Sequence, residues 1–161
     1  MQYILTERGI DFDAYLAYVE TVRDRLPSHV AAFAADPRRF ALSDRESLHD
    51  SWLESVIISE PATGMRGERR RAEIVLRLLG AFHDRVHVLK YTGVRSYRFS
   101  AAAVTAGHGD LYTHEVRLAP TQATLEHELL FVNRASEEKS RLLIECTSFS
   151  YESCPVREEA V

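Results

Sequence analysis

Leu111-Tyr-Thr-His-Glu-Val-Arg-Leu118, then Ala-Pro-Thr-Gln-Ala, then Thr124-Leu-Glu-His-Glu-Leu-Leu-Phe-Val132 is the stretch that decides the fold. Side chains alternate across a strand with a period of two, and both segments follow that rhythm. His114 shares parity with Tyr112, Val116 and Leu118. His127 shares parity with Leu125, Leu129 and Phe131. A short connection holding proline between two such runs predicts an antiparallel hairpin.

Further strands follow on either side of this hairpin. Trp52–Ser59 reads as a strand, and Glu73–Leu79 alternates Ile74, Leu76 and Leu78 against Glu73 and Arg77. Residues 86–99 form a third strand, in which Gly93 predicts a bulge or bend. Residues 142–151 form the last. Ahead of them the period is helical: Phe12, Tyr15, Leu16, Val19, Val22 and Leu26 recur at spacings of three and four until Pro27. A short second helix spans Val30, Ala31, Phe33 and Ala34, and Asp36-Pro37 stops it.

The expectation is an α+β fold. Two N-terminal helices pack on one face of a mostly antiparallel sheet of about six strands. One domain covers 1–161, with 1–42 helical, 43–152 forming the sheet and 153–161 a short acidic tail.

Composition narrows the function classes. The chain has 161 residues, a net charge of −4, 45% hydrophobic and 27% charged residues, which is a globular balance. The net charge disfavours nucleic acid as partner. Almost all of the basic residues are arginine (lysine only at Lys90 and Lys139), a bias that fits a GC-rich bacterial coding sequence. Neither a membrane span nor a signal peptide is expected, and two cysteines give no disulfide framework, so a cytoplasmic location is expected. GxSxG, Walker A and GxGxxG patterns are absent.

If the apolar faces of the hairpin coincide, His114 and His127 lie opposite or diagonal to one another, within about 4.5–8 Å. They are the candidate catalytic residues, as a general acid/base pair. With His49 and Asp50 they are also the candidate metal ligands, although no HExxH or HxH spacing supports a metal and no cofactor is expected. The simpler reading is a pair of core-edge histidines with ordinary hydrogen-bond partners. A Cys146–His127 dyad is a further, weaker candidate. On the opposite face, Glu115, Arg117, Glu126 and Glu128 read as a solvated surface with cross-strand ion pairs. Arg66, Arg69, Arg70 and Arg71 form the basic cluster of the chain, on the loop after Ser59, and with His49 and Asp50 are candidate binding residues.

Ser47-Leu48-His49-Asp50-Ser51-Trp52-Leu53-Glu54-Ser55-Val56 and Leu89-Lys90-Tyr91-Thr92-Gly93-Val94 carry a resemblance. So do His108-Gly109-Asp110-Leu111 and Leu125-Glu126-His127-Glu128-Leu129. Together they resemble small bacterial proteins with an LHDS turn ahead of an antiparallel sheet, similar in layout to immunity proteins of bacterial toxin systems. That resemblance implies binding of another protein and supplies no catalytic residue. The leading expectation is therefore a non-enzymatic protein-binding, immunity or accessory factor. It would use an exposed sheet face or the loops at 60–71 and 100–110, and net acidity would suit a basic partner. The alternatives are an enzyme dependent on a metal or small ligand, built on His114 and His127, and a structural domain that self-associates as a homo-oligomer.

Overall fold

In the computed structural model, residues 1–7, 9–101, 104 and 107–156 are described. The fold is α+β, with a large antiparallel sheet. The chain begins with a two-stranded hairpin, β1 (Leu5–Thr6) and β2 (Gly9–Ile10), so the first 42 residues are not purely helical. Helix α1 (Phe12–Val22) follows, its Ala14 amide capped by the Asp11 carboxylate, and a 3-10 turn (Arg23–Arg25) extends it. Helix α2 (Ser28–Ala35) runs into a second 3-10 turn, Pro37–Arg39.

The sheet strands are β3 (Trp52–Ser59), β4 (Glu73–Leu79), β5 (Arg85–Thr92), β6 (Ser96–Ala101), β7 (Asp110–Leu118), β8 (Leu125–Val132), β9 (Lys139–Cys146) and β10 (Ser148–Pro155). Eight strands replace the expected six because two long runs each break at a corner. Residues 85–101 and 139–155 pair antiparallel on both sides of that corner. The ladder is carried through it by Arg95 N to Glu145 O (2.8 Å) and Thr147 N to Thr92 O (3.3 Å). Gly93 supplies the bend at φ +61°; a Cβ there would lie 2.1 Å from Thr147 Oγ1. The strand order is β10-β5-β4-β3-β7-β8-β9-β6. Since β5 continues into β6 and β9 into β10, the two ends of that order meet and the sheet curls back on itself.

The β3–β7 seam is the weak point of this wrap. Trp52–Asp110 is its one paired position among the described residues. At the Val116–Leu118 end of β7, side chains of α1 take the place of a neighbouring strand. Tyr15 Oη lies 3.0 Å from the Val116 amide and 3.3 Å from its carbonyl, and Tyr18 Oη accepts from the Leu118 amide at 3.0 Å. Main-chain groups with no strand partner thereby keep hydrogen bonds.

One apolar core lies between sheet and helices. Tyr15, Phe131, Phe149 and Leu129 are buried there with Leu76, Leu78 and Leu89. Each fully buried side chain of this size contributes about 1.5–3 kcal/mol. The sheet reaches Pro155, so Ser153–Pro155 belongs to a strand and not to the expected tail; residues 157–161 of that tail lie outside the described residues. Among the described residues no helix is long and apolar enough to cross a membrane.

Candidate functional site

Strand parity turns His114 and His127 to the same face. The register pairs His114 with Leu129 and Val116 with His127, which makes the histidines diagonal neighbours. A register shift between Leu111 and Thr113 moves Tyr112 out of the expected face and exposes it.

The two rings bond each other: His114 Nδ1 lies 3.2 Å from His127 Nε2, and Tyr91 Oη lies 2.8 Å from His127 Nδ1. With Tyr91 donating, His127 carries its proton on Nε2 and gives it to His114 Nδ1, which leaves the His114 proton on Nε2. Phe40 stacks on His114 at 4.6 Å, and Phe149 on His127 at 5.2 Å. His114 is 1% exposed and His127 is fully buried. Burial depresses both: His127 falls to about 3, with Arg117 adding to the effect, and His114 lies well below its ordinary value, with His127 adding to it. Both rings are therefore neutral, and each spends a nitrogen on the other.

His49 and Asp50 are not part of this pair. His49 Nδ1 contacts the Leu111 carbonyl (3.2 Å) and the Asp50 carboxylate (3.4 Å). Asp50, at φ +58°, donates its amide to Leu111 O at 2.9 Å and accepts from Arg134 at 2.8 Å. The LHDS turn thus ties the start of β3 to β7. Among the described residues, no group of three His, Cys, Asp or Glu side chains converges as a metal site. Cys146 and His127 form no dyad: the thiol is buried, faces the Ser148 amide and is pushed up to about 12.

The face expected to be solvated is buried instead. Glu115 is fully buried, and its carboxylate accepts from the amides of Gln2 (3.0 Å), Tyr3 (2.8 Å) and Ile4 (2.9 Å). Arg117 bonds Glu115 (3.0 Å), Glu126 (2.6 Å) and Glu128 (2.6 Å). Sequence reasoning missed the residues that cover this face, although the apolar run Tyr3-Ile4-Leu5 was the available signal. A second polar cluster was also missed. Glu46 accepts from Arg39 and Tyr151 (2.9 Å each) and from Arg85, while Tyr151 Oη meets His87 Nδ1 at 2.8 Å. Burial holds His87 down to about 4. Both clusters cross-link elements distant in sequence, and each leaves some buried nitrogens without a hydrogen-bond partner among the described residues: Arg117 Nε in the first, His87 Nε2, Arg39 Nε and Arg85 Nε in the second.

The surface opens at the β3–β7 seam. One groove of about 410 Å³ is lined by Trp52, Leu53, residues 107–110 and residues 133–135. A second, of about 380 Å³, has walls from β3 (Leu53, Val56, Ile58), β4 (Ile74) and β6 (Tyr97, Phe99). The two share Leu53 and His108 and form one cleft. Large apolar side chains stand exposed in and beside it: Trp52 by 51%, Ile57 by 52%, Ile58 by 46% and Tyr97 by 49%. None of its lining residues belongs to the histidine pair. Arg66, Arg69, Arg70 and Arg71 stand exposed on the loop that joins Ser59 to Glu73, whose flanking strands carry the groove walls Ile58 and Ile74; none of the four lines either groove.

Comparison with known proteins finds no matching family model, no similar curated protein and no similar solved structure.

Proposed function

We propose that this protein is a non-enzymatic protein-binding factor that engages its partner through the cleft at the β3–β7 seam. The observation that carries this reading is the concentration of exposed Trp52, Ile58 and Tyr97 around one open apolar cleft. Aromatic anchors beside a pocket are the usual source of binding energy between proteins. The histidine pair gives no support to a competing enzymatic reading, because both rings are buried away from the cleft, with three of the four ring nitrogens held by each other or by Tyr91; His114 Nε2 is the one without a hydrogen-bond partner among the described residues. The LHDS resemblance favours an immunity or accessory role for such a factor, in the bacterial cytoplasm.

The test is affinity capture from native lysate with three baits: wild type, the double variant Ile58→Lys/Tyr97→Lys, and Leu42→Lys, which is exposed outside both grooves. Circular dichroism checks that each is folded. A stoichiometric partner held by wild type and Leu42→Lys but lost from the cleft variant supports the reading. Retention by the cleft variant, or a wild-type dimer that occludes this face, overturns it.

A further inference from the structure

We infer that the cleft takes an extended segment of another protein, apolar along its length and flanked at one end by acidic residues. This rests on the protein-binding reading and adds the partner's chemistry. The walls of the β3–β4–β6 groove contain no lysine or arginine, and their one acidic residue, Glu54, is neutralised by Arg77 at 3.0 Å. The part of the occupant that lies in this groove is therefore uncharged. The loop that leaves the Ser59 end differs in charge: arginines at 66, 69, 70 and 71 outnumber Glu60 and Glu68.

Glu68 is engaged by Thr63, and Arg70 stands 3.8 Å from Glu60. Arg66, Arg69 and Arg71 make no ion pair among the described residues. None of these arginines lines the groove itself; exposed charges act over roughly 8 Å at physiological salt, so they act on the part of an occupant that runs past Ile58 onto this loop, more than the net −4 of the whole chain does. A second copy fits poorly. Antiparallel pairing of two β3 strands about Ile57 would set Glu54 against Glu60 of the other copy, and like charges directly opposite destabilise a sheet. Nucleic acid also fits poorly, because the one lysine or arginine among the described residues lining the two grooves is Arg134, which is already paired with Asp50.

Binding to synthetic peptides tests this, read by fluorescence of Trp52, the sole tryptophan, at the cleft. The peptides share a Val-Thr-Phe-Thr-Val core flanked on one side by glutamates, lysines or serines; single-stranded oligothymidylate is the fourth probe. Three exposed ion pairs together predict about tenfold tighter binding of the glutamate peptide than of the lysine peptide. The triple variant Arg66→Glu/Arg69→Glu/Arg71→Glu should reverse that order.

Equal or tighter binding of the lysine peptide, tighter binding of the oligonucleotide, an unchanged order in the triple variant, or no peptide binding overturns the inference. If any of these occurs while capture of the native partner still depends on Ile58 and Tyr97, the partner chemistry falls and the protein-binding reading stands.

Discussion

Tyr15 and Val116 form a one-residue substitute for a strand pair. The tyrosine hydroxyl accepts from the Val116 amide at 3.0 Å and donates to its carbonyl at 3.3 Å, with Tyr15 fully buried. Tyr15→Phe removes both bonds and leaves two main-chain groups unpaired in a dry environment. Each such group costs about 1–3 kcal/mol. Urea unfolding should therefore show a loss of about 2–4 kcal/mol, against a much smaller change for Tyr18→Phe, which releases one amide from a half-buried position.

The corner at Gly93 should be intolerant for two separable reasons. A methyl group there meets Thr147 Oγ1, and the positive φ disfavours any side chain. Gly93→Ala should lose at least about 2 kcal/mol. Adding Thr147→Ala removes the hydroxyl contact but not the backbone strain. The double variant should regain only part of the loss, and a double-mutant cycle in thermal melts measures the split.

Stability should fall in mild acid. His127 is held at about 3 and His87 at about 4, both below the unfolded value near 6.5, so the unfolded chain binds more protons. Their contribution is fully present above about pH 6.5 and is lost progressively as pH falls through that window toward 3. The Tm should drop with increasing slope below about pH 6. His87→Phe, which removes one titrating ring at the cost of a hydrogen bond to Tyr151, should flatten that dependence.

Glu115 is the acceptor for three consecutive amides and a partner of Arg117. Glu115→Gln leaves charge and amides poorly matched in a buried site. The expected loss is about 3 kcal/mol. Hydrogen exchange should show selective deprotection of Gln2, Tyr3 and Ile4, with Tyr91 and His127 unaffected.

The parts of this fold that were legible in sequence are those set by local period. Ile74, Leu76 and Leu78 announce β4, and the spacing of Tyr15, Val19 and Val22 announces α1, because each pattern is written within one element. Gly93 signalled a bend, yet nothing at Thr147 signalled that the opposite strand bends with it. Leu5–Thr6 and Gly9–Ile10 are too short to carry a period. Glu115, Arg117 and Glu128 read as surface because their cover comes from residues more than a hundred positions away. The cleft was invisible for a similar reason. It is formed where β3 and β7 diverge, and no run of residues records how far two strands stand apart.

The shared corner of the two bent strands also sets an order of events during synthesis. β5 and β6 precede β9 and β10 in the chain, and among the described residues every strand partner they have besides β4 lies in residues 139–155. Until those residues emerge, two β-rich lengths of chain present open ladders side by side with the apolar walls of the cleft. The same strands that close the finished sheet thus leave the nascent chain open longest, and they make its last-formed contacts the ones that end its exposure to aggregation.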